Sequence, residues 1–167
     1  MELFTALVII IYNISISLGV GASSIVIASF VVALWDKSIE KDERSLLGVI
    51  YVTLRIAMVA ILLSVGYLSL LHPTFSDITI YLWLLLTVLY GNAILMTLHW
   101  IPSKIGPPLQ AATWYTLGTL VTVDLFALYS VTWLNAALLY AGFIILAITV
   151  VNLFLRYIFT RPDSTDT

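Results

Sequence analysis

Arg55 and Asp124 carry their charges deep inside long apolar runs of this chain. A charge placed in hydrocarbon costs at least a few kcal/mol, so such residues face a bundle interior, pair with one another, or mark a route for ions, protons or an anionic ligand. Arg55 lies in an apolar stretch that opens at Leu46, and Asp124 in one that opens at Leu109. At the helical rise, their depths from one membrane face are roughly 14 and 21 Å. An arginine side chain spans the difference of ~7 Å, so a buried Arg55–Asp124 pair is one expectation. In the other, Arg55 snorkels to the nearer interface and Asp124 is protonated and hydrogen-bonded to a neighbouring Thr or Asn. Asn13, Asn92 and Asn152 also fall inside apolar runs. They join the two charges as candidate lining of a polar mid-membrane pathway or ligand site.

Composition removes most other chemistry. The chain has no cysteine, which excludes disulfides, iron–sulfur clusters and thiolate zinc sites. No lysine lies in an apolar run, so a retinal Schiff base is excluded. Glycine-rich phosphate loops, HExxH and a Ser-His-Asp arrangement are missing, and the reading leans away from an enzyme. His72 and His99 end successive apolar runs and so fall on opposite membrane faces, ~30 Å apart. They cannot ligate one haem within a monomer, which disfavours haem and leaves both as interfacial residues with no metal site. The segment Asp36–Ser45 (DKSIEKDERS) has an acidic look but lacks the central glycine and alternating ligands of a calcium loop. It reads as a solvated turn. A net charge of -2 offers no basic footprint for nucleic acid.

The elements that hold these residues follow from length and hydropathy. Of 167 residues, 62% are hydrophobic and 10% charged, with a mean hydropathy of +1.10. A soluble domain carries about a quarter charged residues, so the partner of most of this surface is a lipid bilayer. A span needs about 20 apolar residues. The expected fold is an all-α integral membrane protein, a bundle of five transmembrane helices at about 3–34, 46–71, 78–99, 109–130 and 134–158. The tract from Leu109 to Ile158 is too long to cross once, and the turn is expected at Tyr129–Asn135. The first stretch opens on Met-Glu and is too long for a signal peptide. Its length suggests a bend at Gly19 or Gly21. Residues 160–167 read as a disordered tail, and Trp100–Gln110, with three prolines, as a stiff non-helical connection.

Five spans place six of the seven basic residues on one side, which sets the N-terminus outside and the C-terminus in the cytoplasm. Small and polar residues recur at helical spacing on every span and mark the faces expected to pack: Asn13, Ser17, Gly21, Ser24 and Ala28 on the first; Gly48, Arg55, Gly66 and Ser69 on the second; Tyr81, Asn92 and His99 on the third; Thr113, Thr116 and Asp124 on the fourth; Asn135, Gly142, Thr149, Asn152 and Arg156 on the fifth. A faint echo between Tyr51–Arg55 and Trp114–Gly118 suggests a parallel 2+2 hairpin repeat plus one helix. The expected function is a small transporter or channel component built around the polar centre, working as a homo-oligomer. The alternative is a non-catalytic subunit or assembly factor of a larger membrane complex, with a haem-binding redox protein third.

Overall fold

The computed structural model describes residues 2–36, 41–71, 77–101, 105–126 and 131–159. Of these, 94% are helical, which settles the class as all-α. The elements are α1 (Glu2–Asp36), α2 (Lys41–Leu71), α3 (Asp77–Thr97), α4 (Gly106–Leu125) and α5 (Trp133–Phe159). Successive helices run in opposite directions, as their end contacts show. Near the start of α1, Phe4 meets Tyr67 of late α2 edge-to-face at 5.1 Å. Trp83 of early α3 donates to Ser69 of late α2 at 3.2 Å, and Asn92 of late α3 donates to the carbonyl of Gly106 at the start of α4 at 3.1 Å.

Four helices, α1, α2, α3 and α5, are long and apolar enough to cross a membrane. The fourth is not among them, since Gln110, four threonines and Asp124 dilute its apolar content. Yet α4 is the centre of the bundle. It packs against α1, α3 and α5, and Ala112, Thr113, Trp114, Thr116 and Leu117 are all 0% exposed. This helix, too polar to count as an apolar span, lies innermost, where its neighbours offer it hydroxyls. Thr113 meets the Tyr140 hydroxyl of α5 at 3.3 Å, and Tyr115 meets Ser24 of α1 at 2.7 Å. Large apolar side chains on the other helices, such as Ile10, Leu63, Ile94 and Leu138, face outward instead.

The small-polar stripes correct one expectation. On α3 and α4 they are buried, at Tyr81, Asn92, Thr113 and Thr116. On α1 the stripe from Ser17 through Gly21 and Ser24 to Ala28 is exposed, and so is that of α5 at Gly142, Thr149 and Asn152. Hydrogen bonding gives the reason. Ser17, Thr53 and Thr87 each donate to the carbonyl four residues earlier, at 2.9 to 3.0 Å, and Ser24 does the same while also meeting Tyr115 of α4. A hydroxyl satisfied on its own helix needs no partner helix and can face lipid at little cost.

Other expectations also change. Helix α1 runs unbroken through Gly19 and Gly21. Gly19 serves close packing: a Cβ there would lie 2.2 Å from the buried Trp114 ring, while one at Gly21 would meet nothing within 4 Å. Pro107 and Pro108 belong to the first turn of α4 rather than to a non-helical connection, since the N–H groups they lack have no intrahelical acceptor there. Lys41–Ser45 forms the first turn of α2. The echo positions are not equivalent, because Tyr51 is exposed while Trp114 is sealed in the core, and this removes the main sign of a repeat. Helix α4 ends at Leu125, five residues short of the expected span. The proposed tail 160–167 lies outside the described residues.

Two single substitutions test the role of Gly19. Alanine in a helix gains up to about 1 kcal/mol over glycine, whereas overpacking a tight contact loses about 1–3 kcal/mol. Gly19→Ala should therefore lower the unfolding temperature in detergent, and Gly21→Ala should leave it unchanged or raise it. Equal behaviour of the two variants would show that the Trp114 contact does not hold α1 to α4.

Candidate functional site

One corner of the bundle gathers polar side chains, and its construction starts from the end of α3. The His99 N–H bonds the Met96 carbonyl at 3.1 Å, and the Trp100 N–H reaches back to Leu95 at 2.9 Å. This is the pair of bonds of a Schellman stop, which needs a left-handed residue at the first position past the helix. Glycine suits that position. Here it is His99, with φ 59°. A side chain in this conformation costs about 1 kcal/mol relative to glycine, so the chain gives up stability to keep an imidazole there.

The start of α4 is set against the same corner. Buried Asn92 donates to the Gly106 carbonyl, and Gly106 lies so close to Met96 that a Cβ would come within 2.7 Å of its side chain. Helix α2 is fixed alongside by the Tyr90 hydroxyl, which donates to the Met58 carbonyl at 2.8 Å. Between the three helices lies a cavity of about 350 Å³, within the size range of small-molecule sites. Arg55, His99, Gln110, Tyr51 and Thr97 line it, with Met58 and Met96 among its apolar walls.

Donors dominate this set. Arg55 brings five N–H groups, and Gln110 brings a buried amide whose Nε2 makes a weak 4.0 Å contact with Met58 sulfur. Among the described residues no carboxylate lines the cavity, and none forms an ion pair with Arg55. A compact group of cation and neutral donors without a counter-charge is chemically suited to a planar or tetrahedral oxyanion.

The residues singled out from sequence do not form one centre. Arg55 sits beside Thr97 and His99, at the level of the last turn of α3. Asp124 stands exposed in the last turn of α4, close enough to the Tyr12 hydroxyl to act on it electrostatically. Gln110, which shares the Arg55 cavity, precedes Asp124 by fourteen residues on that helix, or ~21 Å. The buried Arg55–Asp124 pair is therefore not formed. Asn13 donates to its own helix at Ile9, 2.8 Å away, and Asn152 is exposed on α5. His72 lies outside the described residues. Toward the other end, a smaller cavity of about 180 Å³ is walled by apolar residues and by Tyr81, Trp133 and Tyr140. Leu89, Trp114 and Leu117, all fully buried, fill the bundle core.

Sequence reasoning missed Gln110, Tyr51 and Thr97. Hairpin register would have found two of them: folding α2 against α3 about residues 72–76 sets Tyr51 and Arg55 opposite the stretch Ile94–His99. Gln110, the single glutamine of the chain, is a polar residue at the start of a long apolar tract and carried its own signal. No protein family, no curated protein and no solved structure matches this chain.

Distance makes the Arg55–Asp124 relation measurable. Residues more than about 10 Å apart with no shared partner have additive effects, within about 0.5 kcal/mol. Unfolding free energies of Arg55→Ala, Asp124→Ala and the double variant should add within that margin. A coupling well above it would restore the pair.

Proposed function

We propose that the protein is an integral membrane protein with five crossings, including α4, and that it binds an anionic ligand at the corner formed by α2, α3 and α4. Its N-terminus lies outside, its C-terminus in the cytoplasm, and the cavity opens at the cytoplasmic end. The observation that carries this reading is the convergence of Arg55, His99 and Gln110 on one cavity with no carboxylate among its described lining residues. Helix α4 joins the four apolar helices as a crossing because it lies among them and its 20 residues measure ~30 Å. Transport enters this reading as capture of the anion from one side. Passage across needs the packed layer around Leu89, Trp114 and Leu117 to open, or a second subunit. A subunit role in a larger complex is favoured by the exposed small-residue faces of α1 and α5, which suit close helix contacts. Light scattering on the purified protein separates a homo-oligomer from a monomer awaiting partners.

Anion binding is tested by thermal unfolding in a neutral detergent, with inorganic phosphate titrated against chloride at matched ionic strength. A ligand that binds the folded state raises its stability with concentration. The wild type should be stabilised by phosphate and Arg55→Gln should not. His99→Gly should unfold at a higher temperature than wild type, yet lose part of the phosphate effect. An Arg55→Gln variant that responds to phosphate like the wild type would end the reading.

Orientation has its own test, helped by the absence of cysteine from the chain. Cysteine placed at Ser76 should react with an impermeant maleimide in intact cells, and cysteine at Ser103 should react only after lysis. The reverse pattern would invert the topology.

A further inference from the structure

The cavity has a second chamber. A groove of about 490 Å³ between α2 and α3 shares Arg55, Met58, Ala93 and Thr97 with it. Beyond those four residues its walls are Val59, Tyr90, Ile94 and Leu98. Three of these are aliphatic and more than half exposed, at 54%, 56% and 52% for Val59, Ile94 and Leu98. Polar donors thus stand at one end of a continuous space and aliphatic surface at the other, with Arg55 at the junction. The two helices that form the groove touch each other sparingly, while each is held firmly elsewhere, α2 to α1 and α3 to α4.

From this juxtaposition we propose that the ligand is an anionic phospholipid, with its phosphate on Arg55 and His99 and an acyl chain laid along the α2–α3 groove. The inference rests on the anion-binding reading and adds the class of ligand. Depth and charge both support it. The last turn of α3 ends one of the apolar spans, the level at which headgroups lie, and its last residue Thr97 and the following His99 line the cavity. A free oxyanion matches the donors but leaves the apolar groove unfilled. A zwitterionic lipid fills the groove but brings a cationic amine toward Arg55, with no carboxylate among the described lining residues to receive it. An anionic lipid satisfies both chambers, and basic pockets between helices on the cytoplasmic side suit such headgroups.

Native mass spectrometry on the full chain, delipidated in neutral detergent, tests the proposal with three probes: dioleoyl phosphatidylglycerol, dioleoyl phosphatidylcholine and glycerol 3-phosphate. One phosphatidylglycerol should be retained with about tenfold or greater preference over the other two, a difference of about 1.4 kcal/mol. Arg55→Ala should abolish that preference. Val59→Trp and Ile94→Trp, which fill the groove away from the donors, should each weaken phosphatidylglycerol about tenfold while leaving the stabilisation by inorganic phosphate intact. Equal retention of the two lipids overturns the proposal, whether or not the tryptophan variants fold. Glycerol 3-phosphate binding as tightly as phosphatidylglycerol overturns it in favour of a free anion, with the anion site standing. If no anion binds and Arg55→Ala changes nothing, the underlying reading falls as well.

Discussion

The approach of α4 to α1 at Gly19 is the contact on which the arrangement depends. Trp114 is the largest side chain in the sealed core, and its ring occupies the space a Cβ would need at Gly19. Four residues further along α4, Gly118 faces Val20 and Ile16 of α1 in a looser but still tight contact, with a Cβ position 3.1 Å from Val20. On the proposed membrane reading there is no hydrophobic gain from bringing two apolar helices together, and association relies on such close fits and on hydrogen bonds between helices. One glycine on each helix lets the backbones approach, and a large indole fills the remaining gap. The Ser24–Tyr115 bond and the stacking of Tyr115 on Phe143 of α5 then tie a third helix to the same line.

Burying α4 has consequences at both of its ends. Its threonines donate to carbonyls of their own helix, as Thr116 does to Ala112 at 2.7 Å, so their hydroxyls are satisfied in the interior although the sequence there is only moderately apolar. The charges that belong to this level of the chain are pushed to the termini of the bundle. Asp124 stands in the last turn of α4 and Arg55 beside its first turns, which separates two charges that simple depth-counting had placed together. Depth counted from an apolar boundary fails here because α4 runs from Gly106 to Leu125 and stops short of residue 130, which puts Asp124 in its last turn.

Much of the fold was legible. Five helices and their order follow from apolar length alone, because a bilayer makes helix the only economical backbone for such runs. The turn between the last two was placed without proline or glycine, from Ser130, Thr132 and Asn135, and α5 begins at Trp133 inside that segment. What sequence could not separate was a serine or threonine that holds a neighbour from one that bonds its own backbone. The two uses leave the same periodic stripe, which is why the exposed face of α1 looked like a packing face. Helix centrality was also hidden, since the helix that is most enclosed shows only as the one whose apolar run is too dilute to count as a span. The candidate site was half legible. Arg55 and His99 were both marked, but as members of different groups, one with Asp124 and the other as an interfacial residue.

Their meeting follows from a backbone detail that apolar periodicity does not record. A glycine at position 99 would close α3 with the same two hydrogen bonds and less strain. Histidine at that point sends a polar ring from the left-handed residue into the cavity beside Arg55, which a helical residue one position earlier would not do, as Leu98 lines the apolar groove and not the cavity. The stop signal of α3 and the entrance to the site are therefore the same residue. A local conformational cost is kept where a cheaper residue would serve the fold equally well, and what remains to account for it is the imidazole itself.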